Sequence, residues 1–395
     1  MKKMLPTLHE RLAQLIATPS VSSPDPRYDM GNLAVINLLA EWLEPLGFAI
    51  HIQELGNDKA NLVATYGSGS GGVILSGHSD TVPCNESRWK YPPFQLTDTD
   101  GRYYGLGSCD MKSFFAVAIE AALPLLEGGL KQPLTLLATA DEESSMAGAR
   151  ALTSSLLPKA RVAIIGEPTS LRPVHMHKSI QLNSLTVVGK SGHSSRPDAG
   201  INAIDAMHEM ISVIREFRTE LAANYRDEAF AVPIPTMNLG AIHGGDSPNR
   251  ICQICNLLFD LRALPGMDNS LLHRSLYEKL EPVAQRHRVE MELQRKFPGV
   301  EAFRQERQSE LVRAAENLSG HAAESAAYAT EAPFLKQAGF DTVIVGPGSI
   351  DQAHQPDEYI THEQVTAGVG LFRKLIAHYC LTPPTPSRNL TRHPE

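Results

Sequence analysis

The sequence predicts an α/β protein: a three-layer α/β/α catalytic domain with a mostly parallel central sheet, carrying an inserted two-layer α+β domain. Three observations predict it. Short apolar runs alternate with helical patterns up to residue 178, the pattern changes from about Ser179, and the α/β alternation resumes after residue 294. With 395 residues, 42% of them hydrophobic, the chain can build two cores.

The elements follow in order. Residues 7–17 read as a helix, and 33–46 as a second that ends at Pro45 and Gly47. Apolar runs at 61–66, 73–76, 134–139, 162–165 and 342–345 read as buried strands, and 113–126, 146–157 and 310–318 as helices between them. Inside the insertion, strand 181–188 leads through loop 189–200 to helix 201–221. Strands near 237–242 and 251–261, helix 268–286 and strand 289–293 complete it. The expected domains are therefore 1–178 with 295–380, the catalytic part, and 179–294, the insertion. The proline-rich tail 381–395 is expected to be disordered.

Charge excludes some functions. Against 44 Asp and Glu stand 36 Lys and Arg, a net charge of −8, so no nonspecific attraction to nucleic acid or anionic membrane is expected. Residues 1–6 have charge but no apolar export segment, and the stretch 114–126 is broken by Glu120 and Pro124; a soluble cytoplasmic protein is expected. Cys84, Cys109, Cys252, Cys255 and Cys380 are too sparse for a disulfide framework and read as reduced thiols. Gly67, Gly69 and Gly72 fit a dinucleotide-binding spacing, yet they open no helix and read as a hairpin turn. Cys252 and Cys255 have opposite parity in a strand and are expected on opposite faces, which argues against a redox or zinc pair. The sequon at Asn389 matters only in a secreted chain and reads as chance.

The chemistry lies at strand ends. Strand 73–76 runs into Gly77-His78-Ser79-Asp80, strand 134–139 into Asp141-Glu142-Glu143, strand 162–165 into Gly166-Glu167, and strand 342–345 into a glycine loop and His354. The carboxyl edge of an open α/β sheet is where ligands bind, so these groups can converge, and Asp110 before helix 113–126 adds another carboxylate. Singly, Asp110 is an ordinary N-cap and the acidic run an ordinary solvated turn. Together, His and carboxylate donors are the ligand mix of Zn²⁺, Co²⁺ or Mn²⁺, and five of them suit two metals sharing a bridging carboxylate. His78 and Asp80 stand at i and i+2, so Asp80 can accept the second imidazole N–H and fix the tautomer. Neighbouring Glu142 and Glu143 cannot point the same way in extended chain, so one can bind metal while the other faces the water.

GHSDTVP at 77–83, YGLGSCDMK at 104–112, ATADEESSMAGAR at 138–150, IIGEPTS at 164–170, GKSGHSSRP at 189–197 and AHQPDEY at 353–359 resemble the motifs of the dinuclear zinc amidohydrolases. That family includes deacylases, desuccinylases and carboxypeptidases. The resemblance covers about residues 5–380. It implies that His78 and Glu167 bind one metal, Glu143 and His354 the other, and Asp110 both, with Glu142 as general base and Asp80 orienting His78. The metals would be Zn²⁺, with Co²⁺ the alternative. The resemblance further implies a homodimer formed by the insertion, with His193 reaching the partner's site to stabilise the oxyanion. Ser113 and Phe114 replace the family's commoner Gly-Gly after Lys112, and Cys109 precedes the bridging Asp, which bears on packing and changes no ligand.

The implied substrate is a small N-acyl amino acid. Its carboxylate would meet Asn249, Arg250, Arg262 or the backbone N–H groups of the 346–349 loop at Gly348. The wording of GEPTSLRPV, NLGAIHGGDSPNRIC, TEAPF and GPGSIDQAHQPDEY resembles the branch acting on a diamino acid, for which Glu331 would take the distal ammonium. Within the family a desuccinylase, aminoacylase or dipeptidase is the alternative. A two-metal phosphatase would carry more Lys and Arg around the site, and a metal-stabilised binding protein would not need Glu142.

Overall fold

Strands that are apolar on both faces belong in the middle of a sheet, where both faces are covered. In the computed structural model, which describes residues 5–381, Val73–His78, Leu134–Thr139 and Val162–Ile165 are buried along their whole length. They lie within the sheet order Ala49–Gly56, Lys59–Tyr66, Leu134–Thr139, Val73–His78, Val162–Ile165, Asp341–Ile344. The last four are mutually parallel, and each of the first two is antiparallel to the next. His78 is level with Thr139, and Ile165 with Ser76 and Ile344, so four chain segments leave the sheet at one edge. Helices Ser113–Glu127 and His362–Cys380 pack on each other and on Val73–His78, while Glu310–Ser319 packs on Asp341–Ile344. This is the α/β fold the alternation predicts.

The described chain divides into two compact units. One runs to Val174 and includes Gln305–Ala323 and the chain from Phe334; the other comprises His175–Arg304 and Glu324–Pro333. The second unit holds a four-stranded antiparallel sheet in the order Thr236–Gly244, Ile254–Arg262, Gln181–Val188, Glu290–Arg295. Ala203–Asn224 and Asn269–His287 cover it. Ala203, Ala206, Met207, Met210, Ile214, Phe217 and Leu221 are the buried stripe of the first of these helices, at the three- and four-residue spacing of an amphipathic helix. Its N-cap, Asn202, accepts the N–H of Ile204.

Several local expectations need correction. The glycine-rich link 67–72 is no hairpin, because Lys59–Tyr66 and Val73–His78 flank Leu134–Thr139 on opposite sides. Helix 146–157 shrinks to Ala147–Ala151; Leu152 turns extended, and the hydroxyls of Thr153 and Ser155 bond each other at 2.9 Å. Cys252 precedes its strand rather than lying in it, so it and Cys255 share one apolar cluster instead of opposite faces. All five cysteines are free thiols. The edge strand Ala49–Gly56 has no continuous apolar run to betray it. Helix His362–Cys380 hides behind Gly368 and Gly370 despite its Thr361 cap, which accepts from the Gln364 N–H. Apart from Leu381, the expected disordered tail lies outside the described residues, as does Asn389. No described helix is long and apolar enough to cross a membrane.

Phe114 explains two glycines at the ligand-bearing edge. A Cβ on Gly166 would come 2.1 Å from the Phe114 ring, and one on Gly77 would come 2.8 Å from it. Phe114 is buried, with nowhere to yield. Gly166→Ala is therefore expected to destabilise the protein by about 1–3 kcal/mol in urea unfolding, and Phe114→Leu in the same chain to recover part of it. Equal, additive losses would contradict this coupling.

Candidate metal centre

Parallel strands deliver the site. His78 ends Val73–His78, is 1% exposed, and points Nε2 at Asp110 Oδ1 at 3.1 Å and at Glu167 Oε1 at 4.0 Å. Its Nδ1 lies 3.0 Å from the Asp80 main-chain carbonyl, an acceptor, so Nδ1 carries hydrogen and Nε2 faces the carboxylates. His354, held at a left-handed φ of 60°, places Nε2 3.4 Å from the other Asp110 oxygen and 3.0 Å from Glu143. The Asp110 carboxylate thus has one oxygen toward each imidazole. Ligand atoms of His78, Asp110 and Glu143 lie within 4.8 Å of one another, as do those of His78, Glu142 and Glu167. Either group could hold a metal ion. The two share His78, and together with His354 they draw in every ligand that the sequence places at this edge.

The electrostatics ask for cations. Hydrogen bonds to Asp110 and Glu143 raise His354 to about 10 against the cost of burial. Burial alone would lower His78, yet Asp110, Glu167 and Asp80 push it well above its ordinary value. Burial opposes charge on Asp110 too, but the two imidazoles hold it well below the usual carboxylate range. Without metal, protons on the imidazoles supply the positive charge that these carboxylates require; nitrogen and oxygen donors with such a demand fit divalent ions.

Supporting residues are less legible in sequence. The carboxylate of Asp80 does not take the His78 N–H as expected; it is 3.6 Å from Nδ1 and instead accepts the N–H groups of Glu142 at 3.2 Å and Glu143 at 3.1 Å. The Asp80 carbonyl is the closer partner of the imidazole. Burial lifts the Asp80 carboxyl to about 6, with Glu143 adding to it and His78 opposing. Asp141 pairs with Lys59 at 2.8 Å and its carbonyl accepts the Met146 N–H at 2.6 Å, curling the acidic loop.

Glu358 was not singled out in the sequence. Its buried carboxylate accepts the N–H groups of Cys109 at 2.7 Å, Asp110 at 3.0 Å and Gly107 at 3.2 Å, which fixes the loop carrying Asp110. An acid inside AHQPDEY was the available signal. Buried Lys112, whose Nζ donates to the Thr18 carbonyl at 2.6 Å, was also missed.

The expected substrate residues are distributed over both units. Gly348, in the first, is buried and gives its N–H to Gln364 at 3.2 Å, while the Gly346 N–H goes to Thr169, so both glycine amides of this loop are already bonded. In the second, His193 pairs across a two-residue bridge with Arg250, and the Ser194 N–H bonds the Asn249 carbonyl at 3.1 Å. These three expected residues are thus neighbours. Arg250 pairs with Asp246 at 2.5 Å, and Arg262 with Asp260 at 2.9 Å. Glu331 is buried, one residue past Thr330, whose N–H donates to His177.

Imidazoles and carboxylates gathered at the carboxyl edge of an α/β sheet make a candidate metal centre, and the family match gives its class, a metal-dependent hydrolase. Residues 74–378 match the family described as Peptidase family M20/M25/M40, and the chain belongs to that family, whose members hydrolyse amide bonds. It is 45% identical to acetylornithine deacetylase of Pasteurella multocida (strain Pm70), over 96% of this chain and 99% of that one. With the protein of that name from Photorhabdus laumondii it shares 47% identity, over 96% and 98% of the two chains. Among solved structures, a tripeptidase from Staphylococcus aureus superposes with a TM-score of 0.75 at 21% identity, covering 95% of this chain and 98% of that one. A Bacillus subtilis protein described as a dinuclear metal binding peptidase from the M20 family gives 0.66 at 17% identity, covering 94% and 97%.

A pH dependence follows from His354. Its raised value means that the protonated ring stabilises the metal-free fold fully below the ordinary 6.5, and that this stability is lost as pH rises toward about 10. Chelated protein should accordingly melt lower at about pH 9 than at about pH 7, and His354→Gln should flatten that slope. An unchanged slope in the variant would contradict the ring's role.

Proposed function

We propose that the chain is a deacetylase that hydrolyses N2-acetyl-L-ornithine to L-ornithine and acetate, a cytoplasmic step of arginine biosynthesis. The observation that carries the chemistry is the Asp110 carboxylate set between His78 and His354 with Glu142 beside them. The substrate rests on curated relatives of that name at 44–47% identity over nearly their whole length. In this reading His78 and Glu167 would hold one divalent ion, Glu143 and His354 the other, and Asp110 would serve both, the ions being Zn²⁺ or Co²⁺. The inserted unit forms a homodimer, and a second copy of the chain delivers His193 to the site.

When bound, the ions lower the pKa of water and polarise the acyl oxygen. The chain's own residues do the rest. Glu142 takes a proton from water as the oxygen attacks the acyl carbon, then gives it to the nitrogen as the C–N bond breaks, releasing acetate and the amine. Asp80 holds the Glu142 and Glu143 amides, which fixes the loop that carries both carboxylates. His193 donates a hydrogen bond to the oxyanion. Asn249, Arg250 and Arg262 supply donors for the α-carboxylate, and Glu331 an acid for the distal ammonium. The Gly348 amide, already bonded to Gln364, can join the α-carboxylate site only if that bond opens.

Glu142→Ala is expected to keep its metal and lose turnover by roughly 10²- to 10⁴-fold, while His354→Ala loses metal. Near-normal turnover in the Glu142 variant would remove it from this role. Amine release from N-acetylornithine, N-succinyl-diaminopimelate and an N-acetyl apolar amino acid, with chelated and Zn²⁺- or Co²⁺-loaded protein, tests the substrate. Metal-dependent preference for N-acetylornithine is expected; preference for another member would overturn the substrate and leave the mechanism.

A further inference from the structure

The second unit holds an imidazole whose proton position is set by backbone geometry. His193 closes the two-residue strand Gly192–His193, paired with Arg250–Ile251. The chain then turns, with the Arg196 N–H donating to the His193 carbonyl at 2.9 Å. This turn folds Ser195 back onto the ring. The main-chain N–H of Ser195 donates to His193 Nδ1 at 3.2 Å, and the Ser195 Oγ lies 2.8 Å from the same nitrogen. A main-chain N–H can only donate, so Nδ1 must present its lone pair, and the neutral ring carries its hydrogen on Nε2.

We infer that the Ser195 main-chain N–H locks His193 as the Nε2–H tautomer, so that His193 acts as a neutral hydrogen-bond donor and not as a base. Ser195 is then a positioning residue. The catalytic half of this inference rests on the reading that His193 meets the oxyanion; the tautomer does not. The chemistry agrees in sign. A ring in the opposite tautomer would turn a lone pair toward developing negative charge, whereas Nε2–H offers a preorganised donor. The basic lone pair is directed at Ser195, which leaves the outward nitrogen nothing with which to accept a proton from water. The hydroxyl of Ser195 adds a second contact but is not what fixes the tautomer, because it can donate or accept.

The test uses the full-length, metal-loaded protein with isotope-labelled histidine. Long-range nitrogen–proton spectra, recorded where the ring is neutral and assigned by loss of signal in His193→Asn, should show Nδ1 unprotonated and Nε2 protonated. Ser195→Ala keeps the main-chain N–H and should keep this pattern. A spectrum with Nδ1 protonated would overturn the inference whether or not the protein is a deacetylase.

Turnover then probes the use of the donor. A Gln amide at position 193 puts N–H where Nε2–H lies, and an Asn amide puts it where Nδ1 lies. His193→Asn should fall roughly 10²-fold in kcat, as His193→Ala does, while His193→Gln regains part of the loss, all with unchanged metal content. Faster turnover by the Asn variant, or a wild-type rate in His193→Ala, would overturn the catalytic half while the spectrum still decides the tautomer.

Discussion

A single buried carboxylate must face two imidazoles at once, and the rest of the metal edge is arranged to let it. Asp110 is 6% exposed, with one oxygen 3.1 Å from His78 and the other 3.4 Å from His354. Both contacts depend on where the carboxylate sits, so the backbone that carries Asp110 has to be fixed. Glu358 fixes it, by gathering the Gly107, Cys109 and Asp110 amides onto one buried carboxylate. Burial raises that carboxyl to about 8 although the amide bonds pull the other way.

The sheet fixes the other partners in the same economical way. Because Val73–His78, Leu134–Thr139 and Val162–Ile165 are parallel and in register, His78, the 141–143 loop and Glu167 must emerge side by side. Close approach requires glycine at the crossing points: a Cβ on Gly346 would sit 2.1 Å from the Gly166 carbonyl oxygen. Left-handed backbone at Asp141 and His354, neither of them glycine, marks where the chain is bent to aim a ligand. The Lys59–Asp141 pair anchors one of these bends.

Much of this was legible because chemistry and secondary structure coincide: every ligand except Asp110 comes after an apolar run, and four such runs have the length and apolar content of buried strands. What was illegible depends on where distant segments meet. Glu358 reads as one more acid in a polar loop until the 107–110 amides are seen around it. Lys112 reads as a surface lysine until its Nζ is found against the Thr18 carbonyl. The glycine link 67–72 misled because strand order is not carried by sequence proximity, and only the sheet shows Leu134–Thr139 inserted between its flanking strands. Parity placed Asp80 toward His78 correctly but could not distinguish its carbonyl from its carboxylate.

In the proposed reading Asp110 joins two cation positions. Its most direct test is the anomalous scattering of Zn²⁺-soaked or Zn²⁺-grown crystals of the protein. Two peaks are expected on either side of the Asp110 carboxylate, roughly 3.5–4 Å apart, one touched by His78 and the other by His354. A single peak, or two peaks of which only one touches Asp110, would contradict it.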